Sequence, residues 1–131
     1  MKFPRVAPTE YGPNEREWLK PMAALTKIEF RVMLSKLQNE EWSLRRLPAP
    51  AVGIAVTYPE NGLLFIYGLH GKRLFGSITK QDLLDAATAE GFSGIRCSTE
   101  SRAAVRLYER LGFSVVRTDG PKQIMELHDG R

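Results

Sequence analysis

The sequence predicts an α/β fold, a mixed central sheet flanked by helices, and three observations carry that expectation. Two runs dense in β-branched, aromatic and aliphatic residues, 52–58 and 63–69, flank Pro59-Glu60-Asn61-Gly62 and read as a hairpin. Beyond them the hydrophobic period alternates between helical and extended spacing to the end of the chain. The length, 131 residues with 43% hydrophobic and 26% charged side chains, suits one core without disulfide or metal staples, so a single domain over 1–131 is expected.

The elements follow in order. A helix is expected from Asn14, with Glu15 and Glu17 in a first turn where the helix dipole favours acid; Pro21 should kink or divide it. Ile28, Phe30, Val32 and Leu34 alternate as a strand would, yet Phe30, Met33, Leu34 and Leu37 form a helical stripe, and the good helix formers over 33–38 favour helix. Residues 42–47 are a candidate short strand. In the hairpin, Asn61-Gly62 tolerates the positive backbone angles of a tight turn. Thr79 with Asp82 forms a capping-box pattern ahead of the stripe Leu83, Leu84 and Ala87, and Gly91 can end that helix. Residues 93–98 form a strand. Ala104, Leu107, Tyr108 and Leu111 line one face of the next helix, which Gly112 terminates with Phe113 packing back. Two strands, 114–118 and 123–127, close the chain.

Composition narrows the function classes. No apolar stretch approaches the roughly 20 residues that span a bilayer, and Met1-Lys2-Phe3-Pro4-Arg5 has no apolar run behind it, so a cytoplasmic protein is expected. Cys97 is the only cysteine; it excludes an internal disulfide and, with no histidine near it in sequence, reads as a core thiol. The net charge of +4 is spread over both halves without a long like-charge run. That gives weak attraction for phosphates and not the clustered patch of a nucleic-acid binder, and it suits an anionic cofactor equally well.

Two segments carry candidate chemistry. The loop His70-Gly71-Lys72-Arg73-Leu74-Phe75-Gly76-Ser77 feeds a helix N-terminus, where free N–H groups and a positive dipole end suit a pyrophosphate. It is not a Walker loop, because Ser77-Ile78 follows Gly76. The second segment is Ala104-x-x-Leu107-Tyr108-Glu109-Arg110-Leu111-Gly112-Phe113. It resembles the helix-to-strand signature of the GNAT family of acetyl-CoA-dependent N-acetyltransferases, Asn-x-x-Ala-x-x-Leu-Tyr-x-x-x-Gly-Phe, and the order of elements over 52–127 is similar too.

The resemblance implies a GNAT-like sheet, acetyl-CoA as cosubstrate without a metal, and a primary amine as acceptor. It implies that Arg73-x-x-Gly76 matches the first half of the family's pyrophosphate loop, with Leu69, Gly71, Lys72 and Ser77 around it. Ile78 stands where the family has a small residue, and its bulk is expected to hinder backbone approach to phosphate. Ser101 stands for the family's cofactor-contacting asparagine, beside Arg102 and Ala104. Tyr108 matches the tyrosine that protonates the departing thiolate. No motif assigns a general base; His70, at the end of the fourth strand, is the candidate, with Glu60 as alternative, and His128 reads as exposed tail. Arg102, Arg106 and Arg110 make one basic helix stripe, a solvated face or a contact for phosphates or an acidic partner.

Two other readings stay open: a non-catalytic relative kept for structure or interaction, resembling small members encoded by tailed phages, and a nucleic-acid module built on the arginine stripe. The sequence does not identify the acceptor, and it leaves the oligomeric state, a homodimer included, undecided.

Overall fold

In the computed structural model, residues 4–47, 52–72 and 78–128 are described. Seven strands and four helices alternate as β1 (Arg5–Val6), α1 (Pro13–Leu25), α2 (Phe30–Gln38), β2 (Ser43–Arg46), β3 (Val52–Glu60), β4 (Leu63–Lys72), α3 (Lys80–Ala89), β5 (Gly94–Thr99), α4 (Arg102–Arg110), β6 (Ser114–Asp119) and β7 (Lys122–His128). They form one sheet in the order β1-β2-β3-β4-β5-β7-β6. All neighbours are antiparallel except β4 and β5. That parallel pair needs a crossover, and α3 provides it.

Strand alternation sends side chains to two cores, one per face. On one face Leu64, Ile66, Ile95, Cys97, Met125 and Leu127 meet Leu83, Leu84 and Ala87 of α3 and Tyr108 of α4. On the other, Leu44, Ile54 and Val56 meet Leu19, Met22 and Ala23 of α1 and Met33 and Leu37 of α2. The ambiguous stretch near residue 30 is therefore helix, because Met33 and Leu37, one turn apart, both have the sheet to cover.

Local signals explain most boundaries. Asn61 and Gly62 both take positive φ, 49° and 82°, as a two-residue turn matching strand twist requires. The strands run up to this turn, so Pro59 and Glu60 lie within β3 rather than in the loop. Pro59 is tolerated because β2 pairs with β3 only through Thr57, and no ladder bond is lost beyond it. Thr79 and Asp82 exchange the two bonds of a capping box, 3.1 and 3.3 Å. Pro21 does not divide α1, which is continuous over Pro13–Leu25, since Leu19, Met22 and Ala23 on either side are held against the sheet. Glu15 is in the first turn of α1, as expected, and is buried there, accepting from Arg46 of β2 at 2.6 Å.

The feature that matters most lies in β4. Opposite the adjacent residues Val56 and Thr57, its pairing jumps from Gly68 to Ile66, which leaves Tyr67 as an extra residue, a β-bulge. Pairing of β4 with β5 ends at the same level, with Ile66 opposite Cys97. Beyond it β4 continues along β3 to Lys72, while Ser98 and Thr99 of β5 stay with β7. The sheet therefore opens into two wings, β1-β2-β3-β4 and β5-β7-β6.

Candidate functional site

The opening between the wings is built by a bulge that bends β4 away from its parallel neighbour. Past Ile66 the edge of β4 facing β5 carries backbone groups with no strand partner among the described residues. Gly68 makes room for the packing that holds the bend: a Cβ there would lie 2.9 Å from the Met22 sulfur of α1. Tyr67 is fixed by its ring, 4.4 Å from that of Trp42, and by a long hydroxyl contact of 3.5 Å to the Thr26 carbonyl.

The two candidate catalytic side chains fall on opposite faces of this opening. His70 pairs with Ile54, whose side chain belongs to the α1/α2 core, so the half-buried imidazole faces that side. Leu69 pairs with Ala55 and packs against the α3/α4 core. Tyr108 lies on that second side. It is 7% exposed, meets the Phe113 ring edge-on at 5.2 Å, and sits beside the Cys97 thiol, the last β5 residue paired with β4. Burial, with Cys97 as the lesser cause, raises the phenol well above its ordinary value, so it keeps its proton at neutral pH. Its hydroxyl has no hydrogen-bond partner among the described residues, and none of those residues has a sealed polar side-chain atom without one.

Two helix N-termini follow the strands that part. At α3, Thr79 and Asp82 satisfy each other, and the amides of Lys80 and Gln81 have no acceptor among the described residues. At α4, Ser101 is the N-cap: its hydroxyl accepts from Ala104 N at 3.2 Å, and its own amide donates to Thr99 Oγ1 at 3.0 Å. The hydroxyl proton remains available as a donor. Arg102 is exposed in the first turn and Ala104 is half-buried. Gly71 belongs to the end of β4, where a Cβ would come within 2.3 Å of Val52 O across the pair with Gly53. The backbone of Lys72 closes β4. Arg73, Gly76 and Ser77 lie outside the described residues.

Three expectations are corrected. Ile78 is 6% exposed and belongs to the α3/α4 core with Leu64, Leu83 and Leu84, so its side chain is core and not an exposed obstacle. Glu60 stands at the opposite end of β4 from the opening, next to the hairpin turn, and accepts from Arg96 Nη1 at 2.6 Å. His128 is not a tail but the last residue of β7, 2.7 Å from Glu126. Cys97 fits its expected role: it is fully buried, and burial pushes its thiol up, away from thiolate. Arg102, Arg106 and Arg110 are all exposed on α4.

Tyr67 and the free edge of β4 were not singled out from the sequence. A signal exists in Tyr67-Gly68-Leu69-His70-Gly71, because glycines inside a strand pattern mark bulges and close approaches. No group of three or more His, Cys, Asp or Glu side chains that could hold a metal ion occurs among the described residues, and no helix there is long and apolar enough to cross a membrane.

No protein-family model matches the chain, and no curated protein matches it by sequence. Solved structures match it by fold. A Bacillus subtilis acetyltransferase in complex with CoA superposes with a TM-score of 0.66 at 15% identity, covering 98% of this chain and 99% of that one. The Campylobacter jejuni N-acetyltransferase PseH gives 0.58 at 14% identity over 99% and 100%. A Thermoplasma acidophilum PaiA N-acetyltransferase in complex with coenzyme A gives 0.56 at 20% identity over 88% and 89%. The α/β fold, a seven-stranded mixed sheet with four helices, is that of these acetyltransferases.

Proposed function

We propose that the chain transfers an acetyl group from acetyl-CoA to a primary amine, with the parting of β4 and β5 as its active site. The observation that carries this reading is the opening itself, with a phenol on one face and an imidazole on the other. The acetyltransferases of the same fold, two of them in complex with coenzyme A, support acetyl-CoA as the donor.

The thioester supplies the reactive carbonyl, and the chain's own residues do the rest. Leu69, Gly71 and the amides at the start of α3 would hold the coenzyme arm, with Lys72, Arg73, Gly76 and Ser77 at its phosphates. Ser101, Arg102 and Ala104 would bound it at α4. Amides on the 67–72 edge that have no strand partner among the described residues suit the carbonyl oxygen, which gains charge as the amine attacks. His70 takes a proton from the amine on the α1/α2 side. Tyr108 returns one to the thiolate on the other side, from a hydroxyl committed to no structural bond among the described residues. Holding the reactants in line contributes as much as either proton transfer.

The non-catalytic reading leaned on Ile78, Ser101 and the shortness of the helix after the loop. Ile78 faces the core, and Ser101 caps its helix while keeping a donor, so neither argues for decay. The matched acetyltransferases come from cellular organisms and lend no support to a phage origin. The test is to titrate acetyl-CoA by calorimetry and thermal melting, then to assay transfer over a panel of amines. At about a hundred times its dissociation constant, the ligand should stabilise the fold by about 2.7 kcal/mol. A midpoint unmoved by millimolar acetyl-CoA would overturn the proposal.

A further inference from the structure

Two consecutive residues of β4 turn to the same side at the bulge. Gly68 pairs with Val56, a member of the α1/α2 core, and the Tyr67 ring packs against that core as well. A strand alternates its side chains, so this arrangement persists only while something holds Tyr67 out of register. The hydroxyl alone is a weak tether, since its contact with the Thr26 carbonyl is 3.5 Å long. The ring is left to do it.

That ring lies 4.4 Å from Trp42, which is itself held from two other sides. Trp42 stacks on Tyr58 of β3 at 5.5 Å with 16° between the planes. Its amide donates to the Lys36 carbonyl at 3.1 Å, and Lys36 Nζ sits 5.3 Å from its ring centroid. Tyr58 stacks in turn on Phe65 at 4.8 Å. Four rings therefore form a row from Phe65, where β4 still pairs with β5, through Tyr58 and Trp42 to Tyr67, the first residue past that pairing. The row bypasses Ile66 and ties the bulge to the closed half of the strand.

We propose that Trp42 is a positioning residue for the opening: it acts through Tyr67, whose place in the bulge sets where the amides of the 67–72 edge stand. The inference rests on the reading of that edge as the seat of the thioester carbonyl oxygen. Trp42 precedes β2, and β3 lies between β2 and β4, so its contribution is indirect. A misplacement of about 1 Å at a reacting centre can cost about a hundredfold in rate, so loosening the row should be visible in turnover.

The whole chain is assayed with acetyl-CoA and an accepted amine. Trp42→Leu removes the ring and should lower kcat by about tenfold or more. The KM for acetyl-CoA should change by less than about twofold, the split expected when only a transition-state contact is lost. Trp42→Phe keeps a ring beside Tyr67 and should recover most of the loss. Met33→Ala empties a fully buried site in the same core, outside the row, and should lower the thermal midpoint while leaving kcat in place. The proposal is overturned if kcat follows the thermal midpoint through all three variants, or if Trp42→Leu leaves kcat unchanged. A second measurement needs no turnover. Hydrogen exchange over residues 68–71 should quicken by about fivefold or more in Trp42→Leu, while residues 63–66 keep their rates. If the parent chain acetylates no amine, acetyl transfer falls and exchange alone decides; equal rates over 68–71 would then remove Trp42 from this role.

Discussion

The two halves of β4 share one strand and obey different rules. Leu63, Leu64, Phe65 and Ile66 are all buried, paired to β3 on one side, and three of them are matched to β5 on the other. The five residues that follow, 67–71, are only half-buried and have β3 alone as neighbour among the described strands. Charge divides the same way. At the closed end Arg96 of β5 bridges Glu60 of β3 at 2.6 Å and Glu126 of β7 at 2.7 Å, a clamp across the strands that stay together. One bulged residue thus separates a stretch paired on both sides from a stretch with β3 alone beside it among the described strands. The order of the closed half holds the open half in place.

The comparison predicts unequal costs. Leu64→Ala removes a fully buried side chain from the α3/α4 core and should cost about 2–5 kcal/mol in urea denaturation. Leu69→Ala, five residues on and only half-buried, should cost less than half of that. Equal losses would mean that the open half bears as much of the stability as the closed half.

Tyr108→Phe probes the open end alone. Because the hydroxyl has no protein partner among the described residues, the ring still packs on Phe113 and the denaturation midpoint should hold. Turnover should fall by about a hundredfold, the usual contribution of a positioned general acid. A stability loss without loss of turnover would move Tyr108 into the structural half of the comparison.

Removing the closed-end clamp should be milder than emptying the core. Arg96→Met leaves Glu60 and Glu126 without their shared partner, two strands (β4 and β5) apart, but all three are partly solvated, so about 1 kcal/mol is expected from denaturation. Acetyl-CoA affinity should not change, since the clamp stands at the far end of β4.

The smallest effect is on pH dependence. Burial alone would raise the Glu126 carboxyl, but hydrogen bonds from His128 and Arg96 outweigh it and hold the group below its ordinary value. A carboxylate depressed in the folded state stabilises the fold above its unfolded value, and that contribution is lost as pH falls through the folded one. Stability should therefore decline on acidification below about 4.5. In Glu126→Gln this acid limb, followed by denaturation at a series of pH values, should be shallower.

The chain's local chemistry settled its elements. Asn61-Gly62 imposes a two-residue turn, Thr79 with Asp82 starts α3, Gly91 and Gly112 take the positive φ that ends α3 and α4, and the period of Leu83, Leu84 and Ala87 selects the buried face. These are interactions between residues a few positions apart, which is why they can be read in order along the sequence. The site was legible only in part: Tyr108 and His70 could be nominated, but their placement on opposite faces of one opening could not. That placement depends on Tyr67 dropping out of register, on Met22 of α1 settling over Gly68, and on β5 following β7 instead of β4. Each is a contact between distant segments, decided by which pairing buries the most surface, and such contacts exist only once the sheet and both helical layers have assembled. For the same reason Glu60 looked available for chemistry and became an ion-pair partner, His128 looked like tail and became the end of β7, and Ile78 looked like an obstacle and became core.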